Sequence, residues 1–159
     1  MKRDGSANAL PQCAGRRFAL VVARFYGEIA DALLDGARRA LAACGVDDDD
    51  VALVEVPGCF EIPLACRHLI ETRRFDGIVA LGAVIRGETP HFEYVAGECA
   101  RGIMDVQLAS GTPIGFGVLT TENLAQAQTR AARTGGDKGY GAALAAATLV
   151  EELATLGRM

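Results

Sequence analysis

The chain has 159 residues, of which 50% are hydrophobic and 23% charged, and its net charge is −4. This length suits one domain with a complete hydrophobic core. The negative charge argues against nucleic-acid binding, and no apolar stretch reaches the roughly 20 residues that a membrane helix needs. The five cysteines are odd in number and form no Cys-x-x-Cys pair. They therefore predict small buried side chains in a reduced, cytoplasmic protein without disulfides or structural metal.

The N-terminal segment lacks the features of a secretory signal. Lys2 and Arg3 are not followed by the apolar stretch that such a signal requires. We expect a flexible arm over residues 1–16 and a single domain over residues 17–159. One hypothesis is that the arm adds a strand to an edge of the predicted sheet, in its own subunit or in a neighbour's. The reason is that exposed sheet edges promote aggregation.

Short apolar runs alternate with segments of helical periodicity along the chain. The runs FALVVA, VALVEV, GIVALGAVI and PIGFGVL predict strands at 18–23, 51–56, 77–85 and 113–119. Apolar residues at helical spacing predict helices over 29–44, about 62–70, 92–106, 123–133 and 140–156. The third run is apolar at nearly every position, which indicates a strand buried on both faces. The alternation predicts an α/β three-layer sandwich, with a central four-stranded parallel sheet flanked by helices on both faces.

Charged, aromatic or hydroxyl side chains follow the carboxyl end of every predicted strand. In chain order, the segments after the strands read RFY at 24–26, PGCFE at 57–61, RGETPH at 86–91 and TTEN at 120–123. In open parallel sheets, ligands bind beyond the carboxyl ends of the strands. The sequence therefore predicts a pocket whose rim is formed by these four segments.

The segment after the third strand offers proton-transfer and anion-binding chemistry. His91 is either an indifferent first-turn residue of the next helix or a group that transfers protons. The positive end of the helix dipole disfavours a protonated ring there, which leaves the imidazole able to accept a proton. Gly87 and Thr89 either serve the loop and helix cap or hold a phosphate through free amides and a hydroxyl.

Other candidates carry two interpretations as well. Glu61 is either a partner of a helix dipole or an acceptor for a polyol, and Phe25 and Phe60 either belong to the core or stack on a flat ring. Arg130 lies on a helix face, which is typical of a solvated charge. Lys138 lies in a glycine-flanked loop, where a structural reason for lysine is hard to find.

Five segments, in their order and spacing, resemble the lumazine synthases of riboflavin biosynthesis. They read VARFYGEI, VEVPGCFEIPLA, ALGAVIRGETPHFEYV, PIGFGVLTTEN and GDKG, and the resemblance runs from Phe18 to the last helix. The combination of VPGxFEIP with IRGxTxHF is specific to this family. The resemblance implies a flavodoxin-like fold and a transferase that uses no metal and no organic cofactor.

The reaction that the resemblance implies is the penultimate step of riboflavin biosynthesis. It condenses 5-amino-6-ribitylaminouracil with 3,4-dihydroxy-2-butanone 4-phosphate. The products are 6,7-dimethyl-8-ribityllumazine, inorganic phosphate and water. The lumazine would then pass to riboflavin synthase.

The resemblance also assigns roles on one subunit's side of the pocket. His91 matches the family's proposed proton-transfer residue, and Phe25 matches the aromatic that stacks on the pyrimidine. Glu61 matches the acceptor for the ribityl hydroxyls. The turn that binds the ring and ribityl chain in the family matches Cys59 and Phe60 here. The strand end that meets the pyrimidine through its backbone matches Val84 and Ile85. The phosphate-side loop matches Gly87, Glu88 and Thr89.

An adjacent subunit supplies the rest of the pocket in the family. Phe116 matches the residue that covers the ring, Arg130 the one that pairs with the phosphate, and Lys138 the one that reaches the pyrimidine edge. The resemblance thus implies a homopentamer with pockets between subunits and an inactive monomer. The chain departs from the family at Tyr26, where many members have Asn, and at Asp137, also often Asn. We expect Asp137 to neutralise Lys138 in part.

Higher assembly and a second function stay open at this point. Family pentamers stand alone, pair into decamers or close into a sixty-subunit icosahedral shell. The segment RTGGDKG lacks the insertion associated with pentameric members, which favours the shell. The alternative function is a non-catalytic flavin- or lumazine-binding protein on the same scaffold, which would have no need of His91 or Arg130. A signalling receiver domain needs an acidic pair where this chain has Arg24, and is set aside.

Overall fold

A computed structural model describes residues 9–159 and contains a sheet of four parallel strands. The strands β1 (Phe18–Ala23), β2 (Val51–Val56), β3 (Gly77–Ile85) and β4 (Ile114–Thr121) lie in the spatial order β2-β1-β3-β4. The helices are α1 (Gly27–Ala43), α2 (Ile62–Glu71), α3 (His91–Ser110), α4 (Leu124–Ala131) and α5 (Lys138–Leu156), with short 3-10 turns at Asp48–Asp50 and Cys59–Glu61. None of the helices within residues 9–159 combines the length and apolarity needed to cross a bilayer.

Both faces of the sheet are buried, which confirms the predicted three-layer α/β sandwich. Side chains of β1 alternate between two hydrophobic clusters: Phe18, Leu20 and Val22 pack with residues of α1, α4 and α5. Ala19 and Val21 pack with residues of α2 and α3 on the other face. Every residue of β3 before its last is also buried, as its unbroken apolar run predicted.

Several predicted boundaries differ from the structure by a few residues, and tertiary contacts explain two of the differences. Strand β4 continues through Thr120 and Thr121, predicted as loop, because they pair with the last residues of the long strand β3. Lys138, also predicted as loop, is the first residue of α5. There Gly139 packs so closely on α1 that a Cβ atom would lie 2.0 Å from the Leu33 carbonyl oxygen. Packing against α1 thus fixes the helix start that periodicity placed two residues later.

The cysteines are buried, as predicted, and their thiols are free. Of the predicted arm, residues 1–8 lie outside the described residues. Within the rest of it, Cys13 is fully buried and its amide donates a 2.7 Å hydrogen bond to the Cys44 carbonyl. Arg16 Nε donates a 3.0 Å hydrogen bond to Glu151. Packing therefore begins before residue 17, although residues 9–17 add no strand to the sheet.

The strand order creates a crevice beside β1. From β1 the chain passes to β2 on one side, and it then crosses to β3 on the other side of β1. Loops that leave the carboxyl ends of β1 and β3 therefore diverge, and ligands of open parallel sheets bind in the crevice between them. This is the place where the sequence predicts the pocket.

Candidate active site

A cleft of about 680 Å³ opens beyond the carboxyl ends of β1, β2 and β3. The loops after these strands line it, together with the first two turns of α3. The structure brings together nine of the residues predicted for the site: Phe25, Cys59, Phe60, Glu61, Val84, Ile85, Gly87, Thr89 and His91. The crevice between diverging loops is thus an open, preformed cavity.

Two aromatic rings in this cleft face solvent. The side chains of Phe25 and Phe60 are 74% and 59% exposed, so neither belongs to the core, which was one of the two interpretations from sequence. The Phe25 ring contacts the Tyr26 ring edge-on, with centroids 5.0 Å apart and planes inclined by 66°. Exposed aromatic faces in a concave site favour a flat ligand that stacks on them.

The turn after β2 places a carboxylate and a buried thiol beside the cleft. Glu61 Oε2 accepts a 3.0 Å hydrogen bond from the Gly58 amide, which closes the turn. Glu61 Oε1 has no partner among residues 9–159, so it is available to a hydroxyl group. Burial raises the pKa of the Cys59 thiol to about 12. Cys59 is therefore a neutral wall residue and not a nucleophile at neutral pH.

Arg86 fixes the loop between β3 and α3 at both ends. Its Nε donates a 2.8 Å hydrogen bond to Glu122 beyond β4, and its guanidinium also pairs with Glu93 in the first turn of α3. The guanidinium carbon lies 4.3 Å from the centroid of the Phe92 ring, a cation–π contact. The hydrogen bond from Arg86 lowers the pKa of Glu93, which keeps this pair ionised at neutral pH.

Replacing Arg86 by methionine is expected to speed hydrogen exchange at the amides of 87–93, because both carboxylate contacts of the loop are lost. Exchange read by mass spectrometry checks this. The matched control is Arg101→Met, since Arg101 likewise binds two carboxylates, Glu98 and Asp105, on an exposed part of α3. Unchanged exchange at 87–93 in the Arg86 variant would show that the loop is held by other contacts.

His91 is the first residue of α3, and its side chain is exposed at the mouth of the cleft. Its amide lies 3.4 Å from Thr89 Oγ1, and its imidazole has no hydrogen-bond partner among the described residues. Tyr94 and Val95, three and four residues further along the helix, line the same cleft. Three lining residues were predicted only as parts of the rim segments, namely Tyr26, Pro57 and Gly58, and the sequence did not single out Ala83, Phe92, Tyr94 and Val95. Helical spacing from His91 was a signal for the last two.

Four predicted site residues do not line this cleft: Glu88, Phe116, Arg130 and Lys138. The segment after β4 does not line it either, so the rim comes from three strand ends and not four. Two features together explain this: β3 separates β4 from the crevice, and β4 leads into α4, which packs with α1 and α5 on the face opposite α2 and α3. Phe116 is nevertheless 48% exposed, and Arg130 is an exposed residue of α4 whose guanidinium donates to the Gln126 carbonyl at 3.2 Å.

Asp137 does not neutralise Lys138 as expected from their adjacency. Its carboxylate pairs with Arg39 of α1, with distances of 2.8 Å to Oδ1 and 3.1 Å to Oδ2. Lys138 is exposed, and it forms no ion pair with any carboxylate of residues 9–159. Its ammonium group is therefore free to meet a ligand or another subunit.

The geometry defines the class of protein. No three His, Cys, Asp or Glu side chains within residues 9–159 cluster closely enough to hold a metal ion. A cleft with exposed aromatic rings at the switch point of a parallel sheet makes this an α/β protein whose pocket suits a flat small molecule.

The family follows from a comparison with known proteins. The family model described as 6,7-dimethyl-8-ribityllumazine synthase matches residues 15–154, and the chain belongs to this family. The resemblance stated on the sequence motifs is thereby confirmed. Membership implies a role in riboflavin biosynthesis and a transferase with small-molecule substrates, in a family whose members usually assemble into oligomers.

Proposed function

We propose that this protein condenses 5-amino-6-ribitylaminouracil with 3,4-dihydroxy-2-butanone 4-phosphate to form 6,7-dimethyl-8-ribityllumazine. Family membership supports this proposal, because the family model bears the name of that product. The single observation that carries it is the cleft, where Phe25, Phe60, Glu61 and His91 meet at the ends of three strands. Aromatic, polyol-binding and proton-transfer groups are what the two substrates require.

Each wall of the cleft takes one part of the substrates in this proposal. The pyrimidine stacks on Phe25, and the backbone at Val84 and Ile85 meets its polar edge. The ribityl chain donates hydroxyl hydrogen bonds to Glu61, whose Oε1 has no partner among the described residues. The phosphate of the butanone binds near Gly87 and Thr89, in the loop that precedes α3.

The proposed condensation requires that the two substrates are positioned together and that protons are transferred. The 5-amino group attacks the ketone carbon, and water leaves as the C=N bond forms. Loss of a proton from carbon expels inorganic phosphate. The enol left by this elimination tautomerises to a ketone. The ribitylamino nitrogen attacks this new carbonyl, and a second water leaves as the ring closes. His91 moves protons in these steps, and holding amine and ketone together contributes several kcal/mol towards lowering the barrier.

A neighbouring subunit completes the pocket in this proposal. Phe116, Arg130 and Lys138 lie outside the cleft of their own chain and are exposed, which supports their supply to an adjoining copy. We propose a homopentamer on this basis, and a sixty-subunit shell on the absence of an insertion in RTGGDKG. Analytical ultracentrifugation distinguishes pentamer, decamer and shell by their sedimentation coefficients.

Lumazine absorbance is the direct test of the reaction. The purified protein is mixed with both substrates, and the absorbance of 6,7-dimethyl-8-ribityllumazine is followed against the slow uncatalysed condensation. Catalysed formation supports the enzyme. Tight binding of lumazine or riboflavin without any acceleration would instead support the alternative, a non-catalytic flavin- or lumazine-binding protein.

Replacing Arg130 by alanine is expected to raise the KM for the butanone phosphate about tenfold or more, because a charge-assisted contact to phosphate is lost. The KM for the pyrimidine substrate should change little. Steady-state kinetics with each substrate varied in turn checks this. The control is Arg133→Ala, an exposed arginine three residues further along the chain, in the turn beyond α4. Equal KM values for the two arginine variants would contradict the role of Arg130.

A further inference from the structure

We propose that Arg39 is a positioning residue, which holds Lys138 in place for a neighbouring subunit's pocket through its ion pair with Asp137. This inference rests on the proposed function, in which Lys138 reaches the pyrimidine edge from the adjoining copy. It adds a residue of α1, outside every motif of the site, to the machinery of substrate binding.

The ion pair is well built. Arg39 donates to both carboxylate oxygens of Asp137, at 2.8 and 3.1 Å, and its Nε donates to Asp35 at 2.8 Å. The guanidinium carbon also lies 5.6 Å from the Tyr140 ring centroid. The Arg39 and Asp137 side chains are only 24% and 23% exposed, so solvent screens this pair less than a surface pair.

The backbone around Lys138 depends on this pair. Asp137 adopts the left-handed conformation, at φ 44° and ψ 48°, which is unfavourable for most residues and which, besides glycine, mainly Asn and Asp adopt. Three contacts hold it there: its amide donates to the Ala132 carbonyl at 3.0 Å, its carbonyl accepts from the Gly141 amide at 3.1 Å, and Arg39 holds its carboxylate. The left-handed residue turns the chain into α5, and Lys138 is the residue that follows.

Close packing fixes the other side of Lys138. Gly139 contacts the α1 backbone directly. A Cβ atom on Gly36 of α1 would lie 2.7 Å from Asp137 Oδ1, so the glycine makes room for the carboxylate that Arg39 binds. Asp137 and Gly139 are thus both anchored to α1, whereas the Lys138 side chain between them is exposed. The anchors set where the ammonium group projects.

The ion pair between Arg39 and Asp137 also keeps the positive charge of Lys138 available to a ligand. Without Arg39, the Asp137 carboxylate would lose its partner and attract the ammonium group of the next residue. Because Arg39 engages both oxygens of Asp137, the charge of Lys138 stays available to a ligand. Arg39 therefore acts on the proposed pocket through Lys138 and not by contact with substrate.

The test is a set of variants assayed by lumazine formation with each substrate varied. Arg39→Met is expected to raise the KM for the pyrimidine substrate about tenfold, the scale of one lost contact to a charged group, without changing the KM for the butanone phosphate. Adding Asp137→Asn to Arg39→Met should return that KM most of the way to the value of the unmodified protein. Asn tolerates the left-handed conformation, and without a charge it does not attract the ammonium group of Lys138. Arg38→Met, which breaks a more exposed pair with Asp48, is the matched control and should leave both KM values unchanged.

A double-mutant cycle with Lys138→Met separates positioning from general damage. If Arg39 acts through Lys138, Arg39→Met adds no further rise in KM to the Lys138→Met protein. An equal further rise in that background, or a fall in kcat alone with both KM values unchanged, would overturn the inference. If Arg39→Met fails to fold, Arg39→Lys replaces it and should give a smaller rise in the same KM.

The same measurements distinguish this failure from failure of the proposed function. An unmodified protein that forms no lumazine would refute the reaction itself. If the unmodified protein turns over normally but Lys138→Met leaves the KM for the pyrimidine substrate unchanged, both the role of Lys138 and the inference that rests on it are refuted. If the unmodified protein turns over normally, and Lys138→Met raises the KM for the pyrimidine substrate while Arg39→Met does not, the inference alone is refuted.

Discussion

Replacing His91 by alanine is expected to lower kcat about 10²–10⁴-fold while leaving measurable turnover. The proposed condensation requires proton movements at nitrogen, carbon and oxygen, and His91 brings to the cleft an imidazole, the side chain most often used for proton transfer. Turnover should persist because the remaining walls still hold the amine and the ketone together. Stopped-flow absorbance of lumazine under saturating substrates measures the effect.

The KM values are the internal check on this prediction. The His91 side chain has no hydrogen-bond partner among the described residues, so its removal disturbs no protein contact of this kind. Both KM values should therefore change much less than kcat. His68→Ala is the matched control, because the imidazole of His68 is 72% exposed on α2 and lies outside the cleft. Equal kcat values for the two histidine variants would remove His91 from the mechanism.

The sequence predicted the parts of the fold that local pattern determines. Strand β3 could be placed to the residue because an apolar run of this length, bounded by polar residues, is compatible with little else than a buried strand. The cleft followed from the same reasoning, since parallel strands bring their carboxyl ends to one edge. His91 and Phe25 could be assigned to one site although 66 positions separate them in the numbering.

Contacts between distant segments could not be predicted in this way. From sequence, the obvious partner of Lys138 is its neighbour Asp137. In the structure, Asp137 binds Arg39, which lies 98 residues away, and the loop after β4 contributes Glu122 to Arg86 instead of a wall to the cleft. Charged side chains have many possible partners, and the packing of helices decides among them. Hydrophobic periodicity within one chain also cannot show which residues would face a pocket between subunits.

Replacing Gly139 by alanine is expected to destabilise the fold by about 3 kcal/mol, at the upper end for overpacking. The new Cβ atom would lie 2.0 Å from the Leu33 carbonyl oxygen and 2.8 Å from its Cα atom, both in the backbone of α1. A side chain can rotate away, but here one helix must move away from the other. The midpoint of thermal unfolding should fall by roughly 6–12 °C for a domain of this size.

The control lies two residues further along the same helix. A Cβ atom on Gly141 would meet nothing within 4 Å, so Gly141→Ala should be neutral or stabilise α5 by up to about 1 kcal/mol. Both variants are compared by differential scanning calorimetry at the same protein concentration, because the unfolding of an oligomer would depend on concentration. Equal midpoints for the two variants would mean that α1 and α5 are not in direct backbone contact, and the anchoring of Lys138 between them would fail with that contact.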